Sequence, residues 1–142
     1  MVACLSKPPS RQIDAMQKRV DAVERQVETL YNKDFNYLVR ECQTLDSTII
    51  KTKDDFDQME LLQAYLQQFE TQRVVLKEAA QYSRKQLSDL KDDVEKNLYD
   101  EATTSKYIQD EEKELRIMEA QIKYFQEKFD AQKKVVKQLR KE

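Results

Sequence analysis

The stretch Asn97-Leu-Tyr-Asp-Glu-Ala-Thr-Thr-Ser-Lys106 (NLYDEATTSK) decides the fold of this 142-residue chain. On either side of it an apolar heptad runs in one phase. Upstream, the a positions are Met59, Leu66, Arg73, Ala80, Leu87 and Val94, and the d positions are Leu62, Phe69, Leu76, Ser83, Leu90 and Asn97. Nine of these twelve are apolar, which marks an amphipathic helix. Downstream, Ile108, Leu115, Ile122, Phe129 and Val136 form one row, and Glu111, Met118, Phe125, Gln132 and Leu139 form the other. Val94 and Ile108 lie two heptads apart, so phase alone allows a single helix of some eighty residues.

Local chemistry argues for a turn instead. Asn97, Glu101, Thr104 and Glu111 would put four polar residues into two heptads of the seam. The run Asp100–Lys106 is poor in helix formers, and Asp100 is suited to cap a new helix behind the apolar pair Leu98–Tyr99. Charge points the same way. The upstream segment starts acidic, with Asp54, Asp55, Asp57 and Glu60. The downstream segment ends basic, with Lys133, Lys134, Lys137, Arg140 and Lys141. Folding back near residue 100 brings the two clusters together, whereas a parallel dimer of one long helix would stack each on its own copy.

Working outward, Ile13, Met16, Val20, Val23, Val27 and Leu30 recur at spacings of three and four and predict a first helix. Its seam then drifts by one position, to Tyr31, Phe35, Leu38, Cys42 and Leu45. That drift resembles a stutter, which alters supercoiling without ending the helix. The stretch 46–55, DSTIIKTKDD, breaks the pattern with backbone-binding Ser47, Thr48 and Thr52 and β-branched Ile49 and Ile50. Thr52 is the expected cap of the next helix, with Asp54 and Asp55 in its electropositive first turn. Pro8 and Pro9 disfavour helix before Ser10, which is the expected first cap.

The reading is therefore an all-α, elongated antiparallel three-helix bundle of coiled-coil type. A tail or tether over 1–9 precedes a single domain over 10–142, with helices at about 11–46, 53–98 and 101–141. Composition agrees. There is no glycine, there are two prolines, and charged and apolar residues make up 37% and 39% of the chain. A β or α/β domain needs glycine for tight turns and close backbone approach.

Chemistry is sparse. The chain has no histidine, so the usual partners of zinc sites and of Ser-His or Cys-His nucleophiles are missing. A carboxylate-bridged metal centre in a bundle would want Glu-x-x-His motifs. No glycine-rich phosphate loop exists. Carboxylate pairs such as Asp92–Asp93 and Glu111–Glu112 read as a solvated helix face. No catalytic, metal-binding or cofactor-binding residue stands out, and no cofactor, small-molecule substrate or enzyme activity is expected. The balance of 25 basic and 27 acidic residues argues against a nucleic-acid partner. The basic C-terminal turn reads as complementing its own helix end and the acidic start of the second helix. Tyr65, Tyr82 and Tyr124 lie beside the seam, where cover by a third helix is expected.

Cys42 reads as a small apolar core residue. Thirty-two residues separate it from Ser10, about 48 Å of helix, too far for the tail to bring Cys4 to it. Cys4 has a second reading. Met1-Val-Ala-Cys4 ends as a lipobox does, with a small residue before the cysteine, and a polar, proline-containing stretch follows. Residues 1–10 thereby resemble the mature start of small all-helical lipoproteins of Gram-negative envelopes. The resemblance implies lipid on Cys4, a native N-terminus encoded further upstream, and a place in the cell envelope, periplasmic or surface, reached through that lipid.

Three functions compete. The first is a non-enzymatic structural or interaction protein, a rod that scaffolds or docks envelope components. The second is an intracellular coiled-coil subunit of a larger, cytoplasmic assembly. The third is a chaperone-like, client-binding helical protein. All three require a protein partner.

Overall fold

The computed structural model describes residues 8–142, and among these every regular element is helical. Helix α1 runs over 9–43 without interruption, as α-helical Pro9–Leu30, a π-helical turn Tyr31–Phe35, and α-helical Asn36–Gln43. Helix α2 is Lys53–Glu95 and helix α3 is Glu101–Leu139. The chain is an antiparallel three-helix bundle: α2 runs against α1, and α3 runs against α2.

The seam read from the sequence is the core. Leu62, Phe69, Leu76 and Leu87 of α2 and Leu115, Ile122, Phe129 and Val136 of α3 are all buried. So are Ile13, Met16, Val20 and Val23 of α1. The polar seam residues Ser83, Thr104 and Gln132 are buried with them. Only Asn97, of the residues assigned to the α2 seam, is exposed, because it belongs to the turn.

The drift in the α1 seam is a π turn. Leu30 and Tyr31 are consecutive in sequence and both buried, one residue more than the three-and-four spacing of the rest of the α1 seam supplies. Widening one turn to i→i+5 bonding absorbs the extra residue. Phe35 and Leu38 then return to the core side and α1 continues.

The reversal lies where the polar seam predicts it. At the end of α2 the Leu98 amide bonds to the Asp93 carbonyl at 3.1 Å, and the Asn97 amide to the Val94 carbonyl at 3.0 Å. Asn97 sits at φ 56°. These are the two bonds and the left-handed residue of a Schellman stop. Asp100 then caps α3, its Oδ1 accepting from the Thr103 amide at 2.7 Å. At the start of α2 the Thr52 hydroxyl accepts from the Asp55 amide at 3.0 Å, while Asp55 Oδ2 accepts from the Thr52 amide at 3.4 Å. This is a reciprocal box with Asp in the usual Glu position.

Two local expectations differ. Helix α1 starts at Pro9 rather than after Ser10, because proline at a first helical position forfeits no bond, and the Pro8 carbonyl accepts from the Arg11 and Gln12 amides. The helices end two or three residues short of their expected C-termini, at Gln43, Glu95 and Leu139. In each case turn-type bonds take over the last carbonyls.

The contacts group into two compact units, each built from segments of all three helices. One comprises the chain up to Arg25 together with Leu76–Ala120. The other comprises Gln26–Val75 together with Gln121–Glu142. The core of the second unit is aromatic. Tyr31, Phe35, Phe69, Phe125 and Phe129 meet at centroid distances of 4.8–6.4 Å, several of them edge to face.

Candidate functional site

In heptad terms the a and d residues fill the core, and the flanking e and g residues face either a neighbouring helix or solvent. In both units the e positions of α2 and α3 face α1, and they carry the ion pairs. In the unit containing Leu76–Ala120, Arg84 reaches Asp21 at 2.7 Å and Glu24 at 2.9 Å, and Lys91 reaches Asp14 at 2.8 Å. Arg19 forks between Glu112 and Glu119 of α3, at 2.6 Å to each. In the other unit Lys133 meets Asp34 at 2.5 Å, and Arg140 meets Glu41 at 2.7 Å. Arg140 also donates to the Glu41 carbonyl at 3.2 Å and to the Thr44 hydroxyl, closing the C-terminal end of α1. The basic end of α3 is thus committed mainly to α1, and not to the acidic start of α2 as the charge pattern suggests. Lys141 acts on that start, adding to the hydrogen bonds from Lys51 and Thr52 that hold the Asp55 carboxyl low.

The titration of these groups follows their pairing. Arg19 is held protonated above the ordinary arginine range, first by its hydrogen bond to Glu119. Burial pushes the Glu112 carboxyl upward, but Arg19 and Arg116 outweigh it and the group lies below its ordinary value. Lys91 is raised by its hydrogen bond to Asp14.

The sides of α2 and α3 turned away from α1 differ. In the unit containing Leu76–Ala120, c and g residues of the two helices, together with Leu90 and Glu111 at d positions, frame a cleft of about 180 Å³. Gln86, Asp89 and Asp93 line it from α2, and Tyr107, Asp110 and Glu111 from α3. Tyr99 of the turn closes one end, donating to Asp93 Oδ2 at 3.0 Å and packing edge to face on Tyr107 with centroids 5.0 Å apart. Among the described residues, Asp89, Asp93, Asp110, Glu111 and Glu114 form no ion pair with lysine or arginine, whereas every cross-helix ion pair of this unit has α1 as one partner. The Glu111 carboxyl titrates above its ordinary value, first because it is partly buried and then because Glu114 and Asp110 stand beside it.

The expectation that a third helix covers Tyr65, Tyr82 and Tyr124 is corrected. Tyr82 is 66% exposed and Tyr124 46% exposed. The third helix of each unit lies on the e side, and these residues are on the other. Only Tyr65 is partly covered, stacked on Phe69 at 5.9 Å. Ile117, one heptad before Tyr124, is exposed as well. The heptad places these residues beside the seam, and the ion pairs of the e positions show which flank α1 covers.

Cys4 lies outside the described residues. Cys42 is half-buried rather than core, a free thiol whose pKa is pushed up by burial, against a hydrogen bond from Gln63 that lowers it. Among the described residues no group of three or more acidic or cysteine side chains is placed to hold a metal ion, and no helix is long and apolar enough to cross a membrane. The sequence matches no protein-family model, no curated protein and no solved structure.

Proposed function

We propose that this chain is a non-enzymatic interaction protein, a helical scaffold that docks a protein partner on the sides of α2 and α3 turned away from α1. The observation that carries this reading is the division of labour between e and c/g positions. The e positions are spent on ion pairs inside the bundle. The c and g positions of the unit containing Leu76–Ala120 expose Tyr82 and Ile117 and leave a run of carboxylates without cations. A helix face that meets only water ordinarily carries interleaved charges of both signs and few large apolar groups.

A photo-reactive amino acid at position 82, compared with one at exposed Lys18 on α1, tests the reading in the native cell. A discrete adduct from position 82 and none from position 18 is expected. Equal labelling from both, or none from position 82, counts against a docking face there.

The lipid-anchored form of this reading rests on the resemblance at residues 1–10. Mass spectrometry of the protein from its native cell checks it: an N-terminal peptide bearing lipid at Cys4 supports the anchor, and an unmodified Cys4 ends it.

A further inference from the structure

We infer that the partner docked on this face is a basic, amphipathic protein segment, seated between α2 and α3 in the unit containing Leu76–Ala120. The inference rests on the docking reading above and adds the chemistry of the occupant. Two properties of the face select it.

The first is the sign of the charge. Asp89 and Asp93 of α2 and Asp110, Glu111 and Glu114 of α3 share one side of the unit, and none has a cation of its own. The carboxylates on the other side, Asp14, Asp21, Glu24, Glu112 and Glu119, are all paired. The unit is therefore not acidic all round. The carboxylates at the junctions with α1 are compensated, and those on the open side between α2 and α3 are not. Lys85, Lys106 and Lys113 occupy f positions one helical step further out, where they flank the face without entering ion pairs with it. An acidic partner would meet the five carboxylates directly. A neutral one would cover them and lose their hydration without replacement, which is costly for any charged group. A partner bearing lysine or arginine supplies the missing cations and gains in approach rate as well as in specificity.

The second property is the aromatic and apolar content interleaved with that charge. Tyr82 and Tyr107 are exposed, Tyr107 with its ring already fixed against Tyr99. Ile117 extends the apolar set one step further along α3. Tyrosine presents a ring face to a cation and an apolar body to a methylene stem, so Lys and Arg side chains satisfy both parts at once. An amphipathic helix laid into the groove places apolar residues at i, i+3 and i+7 against the tyrosines and basic residues on its flanks.

The test uses the whole chain and three synthetic helical peptides of equal length with one common Leu face. Their remaining positions are lysine in one, glutamine in the second and glutamate in the third. Binding is read by fluorescence anisotropy at low and at moderate salt. The lysine peptide is expected to bind at least about tenfold more tightly than the other two, and to weaken as salt rises. The triple substitution Asp89→Asn, Asp110→Asn, Glu111→Gln should reduce its affinity about tenfold or more. A charge-matched control, Asp54→Asn, Asp57→Asn, Glu60→Gln, should leave it within about twofold, since those residues lie outside this face. Tyr107→Ser should weaken binding of the lysine peptide without changing its salt slope.

Equal losses from the two triple variants would show a response to net charge alone and overturn the inference. Equal binding of the glutamine peptide would keep the docking face but overturn its basic occupant. Failure of all three peptides to bind would remove the docking reading itself. Circular dichroism of both triple variants, expected to match the unaltered chain, confirms that a loss of binding is not a loss of fold.

Discussion

The hydroxyl of Tyr31 donates at 2.7 Å to the main-chain carbonyl of Phe69, joining the π turn of α1 to the middle of α2. Tyr31 is fully buried, and the guanidinium of Arg73 lies 5.2 Å from its ring centroid. The bond satisfies the hydroxyl where no water reaches it. Tyr31→Phe keeps the ring and removes the bond, so a cost of about 1–2 kcal/mol is expected. Tyr31→Ala removes the ring from the aromatic core and should cost about 3–5 kcal/mol. Urea denaturation measures both, and equal costs for the two variants would mean that the ring packing contributes little.

The same residue sets an alkaline limit. Burial, with Glu70 adding to it, holds the Tyr31 phenol protonated well above the usual tyrosine range. The folded pKa is raised, so the stabilisation is complete below the unfolded tyrosine value of about 10 and is lost as pH rises above it. Between about pH 10 and 12 the native chain should therefore lose stability more steeply than Tyr31→Phe does. Parallel stability curves for the two proteins over that range would exclude this source.

The π turn makes one residue of α1 dispensable. Deleting exposed Asn32 returns the seam from Leu30 to Phe35 to ordinary α spacing, and the variant should stay folded with a loss of about 2 kcal/mol or less, chiefly from the displaced Tyr31 bond. Deleting Lys18 instead throws Ile13 and Met16 out of phase with the rest of α1. Each of these buried side chains is worth about 2–4 kcal/mol, so that variant should lose several kcal/mol. Similar losses from the two deletions would mean that the π turn does not hold the extra residue.

Core and rim substitutions should separate widely. Leu87 and Phe125 are 1% and 4% exposed. Leu87→Asp and Phe125→Asp each bury an unpaired carboxylate, at a cost of several kcal/mol. Lys137 is exposed, and Lys137→Ala should change stability by less than about 0.5 kcal/mol. Thermal melts followed by circular dichroism distinguish the two classes.

The seam, the reversal near residue 100, the Asp100 and Thr52 caps and the break after Leu45 were legible in the sequence, because each rests on residues within one or two turns of one another. The π turn was legible only as an excess of one residue between Leu30 and Phe35. Underwinding and π widening absorb that excess equally well on paper. The choice depends on a carbonyl thirty-eight positions away, at Phe69, that accepts the Tyr31 hydroxyl. The candidate site was less legible. Asp93 and Glu111 read as part of a solvated face, because a heptad count does not say which flank of a helix its neighbours cover. Arg19, Arg84 and Lys91 show which flank is covered, but only once their partners on the other helices are known.

Three helices can wind around a common core in two mirror-related orders, and apolar seams alone scarcely distinguish them. Here the e-flank ion pairs do. In the unit containing Leu76–Ala120, the opposite order would turn the g flanks of α2 and α3 toward α1 and bring Asp14 and Asp21 toward Tyr107 and Glu114, while Arg84 and Lys91 lost their partners. Each exposed pair is worth at most about 1 kcal/mol. Lost together, and partly replaced by repulsion, they favour one hand over the other. Charges that add little to the depth of the native well thus select which of two enantiomorphic windings the chain occupies.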